Sequence, residues 1–352
     1  MNRLARRLRE SAVSRQVLAN CGARLVAMAG LAGATILVAR TGGPADVGIY
    51  ALLRMLPGLV GVLAVAGLPG AMSYFLAPSR RDAPGLWPSV LLITAAGAVL
   101  GAAVWLALAP LLSATFSLGS VAVTAAAAAT VATQLFLTVG KTALQGLGDR
   151  RGGDVVIAAE EVAFLPCYAL TLLLGQHGSA ALVTGLVLAD LVVGVDAWRR
   201  VSRDVGRPVL AMFRGLPTRG RVVEMVSYGI RGQVGGMMTL LNLRLDFAVL
   251  GAVAGPSLLG AYAVASKYAE LLRLPGTALT WVCYPTLTAL PPAQAAGQAR
   301  RIARPAAVAG IVAAVPFALL AGPVIGLLYG DRFDAAVLPA QVLCAGMVVS
   351  GA

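Results

Sequence analysis

Gly43-Pro44-Ala45-Asp46-Val47-Gly48-Ile49-Tyr50-Ala51 returns 212 residues later as Gly255-Pro256-Ser257-Leu258-Leu259-Gly260-Ala261-Tyr262-Ala263, and each copy joins one long apolar segment to the next. The chain therefore reads as two related halves. Internal repetition in a membrane chain points to a transporter whose two lobes move about a shared central cavity.

Composition places those halves in a bilayer. Hydrophobic residues make up 59% of the chain, charged residues 12%, and the mean hydropathy is +0.83. Most of the surface must then face lipid or other apolar helices. A span of the hydrocarbon core takes about 20 residues. Runs of that kind lie near 18–40, 47–76, 87–112, 119–147, 155–175, 179–197, 225–252, 257–289, 305–328 and 335–352. The expected fold is an all-α polytopic membrane protein with ten spanning helices. Strands are not expected, because the runs are long and continuous, whereas barrel strands are short and alternate polar residues into the lumen.

The arginines orient these helices. Arg3, Arg6, Arg7, Arg9 and Arg15 precede the first span, and every second loop after it is basic: Arg80 and Arg81, Arg150 and Arg151, the seven arginines from Arg199 to Arg221, then Arg300, Arg301 and Arg304. Only Arg40 and Arg332 fall on the other side. The positive-inside rule puts the N-terminus in the cytoplasm of a cell inner membrane. The same asymmetry explains the net charge of +13 through anionic lipid headgroups, with no need for a nucleic acid partner. Arg24 interrupts the first run, which is too long for a signal peptide, so helix one is read as retained. Cys21, Cys167, Cys283 and Cys344 are isolated and show no metal or redox spacing. The lone His177 reads as a loop residue.

Function is sought among the charges inside the spans, because a cation at the bilayer centre costs about 2.5–3.5 kcal/mol on insertion scales and normally faces a polar cavity or a partner. Arg24, Arg54, Lys141, Arg231, Arg244, Lys267 and Arg273 are of this kind, against the carboxylates Asp246 and Glu270. The surplus of positive charge calls for an anionic guest. Arg54 follows Gly43 by 11 residues and Lys267 follows Gly255 by 12, so the two occupy matching depths in equivalent helices. Such a pair suits the two ends of a pyrophosphate, the arginine as a bidentate fork and the lysine as a point charge. Arg24 and Arg231 lie near helix ends, where snorkelling to headgroups is the competing reading. Lys267, Glu270 and Arg273 are spaced by three and also suit a salt-bridge ladder. Asp246 suits either an ion pair or a coupling-ion site. Glu160 and Glu161 are read as the cytoplasmic start of helix five, pointing about 100 degrees apart and so forming no catalytic dyad.

No glycine-rich phosphate loop, Gly-x-Ser-x-Gly or His-Glu-x-x-His occurs, so a transporter that is not an enzyme and carries no cofactor is expected. Two stretches then carry a resemblance. Ala39-Arg40-x-x-Gly43-Pro44-x-x-x-Gly48-x-Tyr50, followed by a helix with the embedded Arg54 and by Gly67-Leu68, resembles the opening of polysaccharide flippases of the multidrug/oligosaccharidyl-lipid/polysaccharide (MOP) exporter superfamily. Leu328-Tyr329-Gly330-Asp331-Arg332-Phe333 is similar to an element those proteins carry before their tenth helix. The resemblance implies two six-helix bundles in an inverted V, alternating access, and transfer of a polyprenyl-diphosphate-linked oligosaccharide from the cytoplasmic to the outer leaflet. It also implies that Arg24, Arg54, Arg231, Lys267 and Arg273 line the cationic cavity.

The expected organisation is a basic N-terminus at 1–16, a first six-helix bundle at 17–198, a basic linker at 199–224 and a second bundle of four helices at 225–352. By the length of the repeat, the second bundle is expected to be incomplete. Expected partners are an anionic lipid-linked saccharide, membrane lipids, and glycosyltransferases or a polymerase of the same pathway. Multidrug efflux by the same fold and a non-transporting membrane scaffold for polysaccharide synthesis are the alternatives.

Overall fold

The computed structural model describes the backbone of residues 2–77, 85–212, 214–272 and 290–351, with side chains apart from 2–18, 239–244 and scattered further positions. Helices account for nearly all of it, and no strand occurs among the described residues. In chain order they are α1 (Asn2–Gly42), α2 (Pro44–Ala64), α3 (Leu68–Phe75), α4 (Leu86–Phe116), α5 (Val121–Ala126), α6 (Ala128–Leu147), α7 (Arg150–Val162), α8 (Phe164–Leu173), α9 (Gly178–Val205), α10 (Val209–Met212), α11 (Arg219–Glu270), α12 (Pro292–Tyr329), a 3-10 turn (Asp331–Ala336) and α13 (Val337–Gly351).

Eight helical stretches among the described residues are long and apolar enough to cross a membrane: Ala19–Gly42, Pro44–Ala64, Leu86–Phe116, Val121–Leu147, Arg150–Leu173, Gly178–Val205, Leu245–Glu270 and Gly310–Tyr329. The first six match the first six expected runs. The seventh and eighth runs fall together on α11, and residues 273–289, with Arg273, lie outside the described residues. The tenth run is α13, which at 15 residues is short for a span.

The repeated motif has a physical basis. Gly43 has φ 84° and Gly255 has φ 79°, and each is followed by a proline. A left-handed glycine breaks the helix at no steric cost, and proline restarts it because its missing N–H is unneeded in a first turn. Gly255, with ψ 174°, is thereby the kink within α11. The two copies also touch. A Cβ on Gly260 would run into the Pro44 carbonyl, beside the Gly48 amide. Glycine at that step of the repeat lets two backbones approach.

Packing groups the residues into two compact units, one of Ala23–Ala34 with Ile49–Pro256, the other of Met1–Gly22, Thr35–Gly48 and Ser257–Ala352. In the second half of the chain the division falls at the Gly255-Pro256 kink. The reason is that the first half of α11 packs on the α2–α3 turn: Gly229 lies against the Ala66 and Gly67 backbone, and the Gln233 amide donates to the Val62 carbonyl at 3.0 Å. Inside the larger unit α6 and α9 make the most extensive contact. Gly140 faces Trp198 and Gly194 faces Phe136, so each glycine receives an aromatic ring. The Trp198 indole donates to the Phe136 carbonyl at 3.1 Å, satisfying its polar edge inside the core.

In the smaller unit Arg40 and Arg332, the two exceptions to the loop-charge pattern, both lie at helix ends. Arg40, in the last turn of α1, donates from Nε to the Leu328 carbonyl at 3.0 Å and from Nη2 to the Leu327 carbonyl. Arg332 in turn lies beside Gly43, at the end of α1. A guanidinium at a helix C-terminus satisfies orphan carbonyls and opposes the negative end of the macrodipole. Arg40 therefore acts as a helix cap.

Candidate functional site

The site is built on the start of α7. Asp149 caps that helix by accepting from the Gly152 amide at 2.9 Å, which fixes its first residue at Arg150, five residues before the expected start. Glu160 and Glu161 consequently sit about 15 Å along the span, at 1.5 Å per residue, and not at its end. Arg54 lies ten residues into α2 and so reaches a similar depth in its own span.

These residues pair. Arg54 donates to Glu161 through both guanidinium arms, Nη1 to Oε2 at 2.6 Å and Nη2 to Oε1 at 2.7 Å, and Nη1 also donates to the Tyr50 hydroxyl at 3.1 Å. The Lys141 ammonium meets Glu160 Oε2 at 2.5 Å. Three helices, α2, α6 and α7, thus contribute one or two charges each. Adjacent carboxylates on α7 point to different neighbours, as the 100-degree step requires. The Arg54 and Glu161 side chains are 24% and 19% exposed, so water is scarce and each charge depends on its partner.

An aromatic wall flanks the fork. Tyr50 stacks on Phe164 with ring centroids 4.7 Å apart, and Phe164 stacks on Tyr168 at 5.3 Å. A further carboxylate stands behind them. Asp190, midway along α9 and 8% exposed, accepts from the Thr133 hydroxyl of α6 at 3.2 Å. The larger unit thus sets three carboxylates against Arg54 and Lys141. The positive surplus expected from sequence counted neither Glu160 and Glu161 nor Asp190, and this region does not have it.

The remaining expected residues are placed separately. Lys267 and Glu270 close one rung of the expected ladder, at 3.2 Å on their own helix. Asp246 is exposed, and one of its carboxylate oxygens accepts from the Phe247 amide at 2.9 Å. Arg24 and Arg231 are exposed. The Arg244 side chain and the whole of Arg273 lie outside the described residues. With helix five starting at 155, Glu160 and Glu161 read as residues near the mouth of their span, while Asp190, a lone carboxylate in the sixth run, carries no such boundary signal. Asp149, a capping residue followed three positions later by glycine, was the signal for the earlier start.

The crystal structure of MATE in complex with MaL6 matches with a TM-score of 0.56 at 18% identity, over 97% of this chain and 81% of that one. MATE in complex with MaD3S gives 0.56 at 17% identity with the same coverage. The outward-facing conformation of a multidrug resistance MATE family transporter of the MOP superfamily gives 0.53 at 18%, again over 97% and 81%. At such identities the likeness carries the fold. No curated protein matches the chain. The family model described as polysaccharide biosynthesis protein matches residues 37–338, which take in both copies of the repeat. This multi-pass membrane protein, whose fold is MATE-like, therefore belongs to the polysaccharide biosynthesis protein family.

Proposed function

We propose that the chain is an alternating-access exporter of an anionic, lipid-linked saccharide, with its N-terminus in the cytoplasm and its cargo moving from the cytoplasmic to the outer leaflet. The observation that carries this reading is the Arg54–Glu161 fork at mid-span in a family tied to polysaccharide biosynthesis. A buried ion pair stabilises little beyond what apolar residues of the same size would supply, so its retention suits a pair that opens. A phosphate presents Arg54 with the same two-oxygen geometry as Glu161, and Lys141 offers a point charge on the next helix. Cargo binding is then an exchange of carboxylate for phosphate. Arg24, Arg231, Arg244, Lys267 and Arg273 remain proposed contacts along the route.

A second reading has one observation in its favour. Asp190, buried against Thr133 and the third carboxylate beside two cations, suits a cation, whether a coupling ion or a small cationic cargo of an efflux pump. Proteoliposomes separate the two. A fluorescent polyprenyl-diphosphate oligosaccharide should be flipped, and flipping should be lost in Arg54→Ala. Efflux of a cationic dye without any flipping of the anionic lipid would favour the second reading.

A further inference from the structure

Between α9 and α11 lies a folded segment that is apolar and basic at once. Gly206, with φ 70°, ends α9 in a left-handed cap in which the Arg207 amide donates to the Ser202 carbonyl at 3.2 Å and the Ser202 hydroxyl donates to the Arg207 carbonyl at 2.7 Å. One helical turn follows, with the Met212 amide bonded to the Pro208 carbonyl at 3.0 Å and the Arg214 amide to the Ala211 carbonyl at 3.3 Å. Its inner side is anchored. Met212 is 3% exposed and belongs to the main apolar core, with Val209 packed against that core, and Gly215 lies beside Pro88 at the start of α4. The segment has a fixed orientation.

Its outer side carries what a water-facing loop would avoid. Leu210 is 82% exposed and Leu216 is 87% exposed. Side chains this exposed elsewhere, such as Leu173 and Val253, sit within candidate spans where lipid covers them. Leu210 and Leu216 do not; they stand where one span ends at Val205 and α11 begins at Arg219. Around them Arg203, Arg207, Arg214 and Arg219 are exposed. From residue 199 to 221 seven arginines face one acid, Asp204. Two of the seven have acidic partners at the edges, Arg200 with Asp196 and Arg221 with Glu224.

We propose that residues 206–212 and 214–219 are a leaflet anchor: Leu210 and Leu216 enter the acyl boundary of the membrane the protein spans, while Arg203, Arg207, Arg214 and Arg219 hold acidic phospholipid headgroups. Exposed aliphatic tips ringed by cations are the composition of an interfacial segment. Charge complementarity selects an anionic leaflet, and the adjoining helix ends place the segment at headgroup level. The anchor fixes the depth at which α9 leaves the membrane.

The test labels the full-length chain, with its four cysteines changed to serine, with the environment-sensitive fluorophore NBD on Leu216→Cys or Leu210→Cys, and on Gly220→Cys as a control. The protein is reconstituted in phosphatidylcholine alone or mixed with phosphatidylglycerol. Lipids spin-labelled near the headgroup should quench both leucine sites strongly when phosphatidylglycerol is present and the control weakly. Each Arg→Gln change at 203, 207, 214 or 219 should lower the docked-to-free ratio about fivefold. Because the four arginines are exposed, monodispersity and tryptophan emission should be unchanged, which separates undocking from misfolding. Water-like emission without quenching at both leucine sites in both mixtures would overturn the anchor, as would shielding that arises only when a soluble protein is added. Quenching indifferent to phosphatidylglycerol and to the arginines would overturn the assignment of acidic headgroups.

Discussion

Removing Glu161 strands the Arg54 guanidinium at mid-span, and removing Arg54 strands the carboxylate. Either change should cost about 3–5 kcal/mol of stability, read by unfolding in detergent, because a buried charge then loses its partner. The charge-neutral double variant Arg54→Ala/Glu161→Ala should recover most of that loss. Asp190→Asn runs the other way. The amide can still accept from Thr133 and carries no charge, so the variant should be at least as stable as the parent, by about 1 kcal/mol. A marked fall in melting temperature would mean that a cation already balances Asp190. At this scale the sequence showed the cations and hid their partners. Arg54 and Lys141 stand out in apolar runs, whereas the role of Glu160 and Glu161 depended on where α7 begins, and that depended on one capping aspartate.

Among the helices, the two Gly-Pro junctions were the most legible features. A positive φ followed by proline is a local property, and it recurs at Gly43 and Gly255 for the same steric reason. Gly255→Ala places a Cβ in a backbone region that is essentially reserved for glycine, and should cost about 1–3 kcal/mol. Gly232→Ala, within α11 and with open space around it, should be neutral or slightly stabilising. Comparing their thermal melts checks the assignment of the kink. Arg40 was legible only as an anomaly in the loop charges. That it caps carbonyls at the end of α12, 287 and 288 residues away, is a tertiary fact without a local signal. Arg40→Ala should cost about 1.5–3 kcal/mol, the worth of hydrogen bonds from a charged group. Arg40→Lys, which lacks the fork, should recover only part of it.

For the molecule as a whole, membrane character and the all-helical fold were readable from hydropathy, because apolar length is a property of short windows, while the family came from the resemblance carried by the stretches at 39–50 and 328–333. That the first half of α11 joins the larger unit through close backbone approach at Gly229 is a tertiary fact without a local signal. The chemistry rests on whether the Arg54–Glu161 pair is a brace or a latch. Flipping of a fluorescent polyprenyl-diphosphate oligosaccharide in proteoliposomes decides this when the parent is compared with the folded Arg54→Ala/Glu161→Ala variant. Loss of flipping in a stable, monodisperse double variant is the expected result, because the phosphate then has no fork to enter. Flipping at the parental rate would show that the pair only braces the bundle, and would contradict the anion-exchange mechanism.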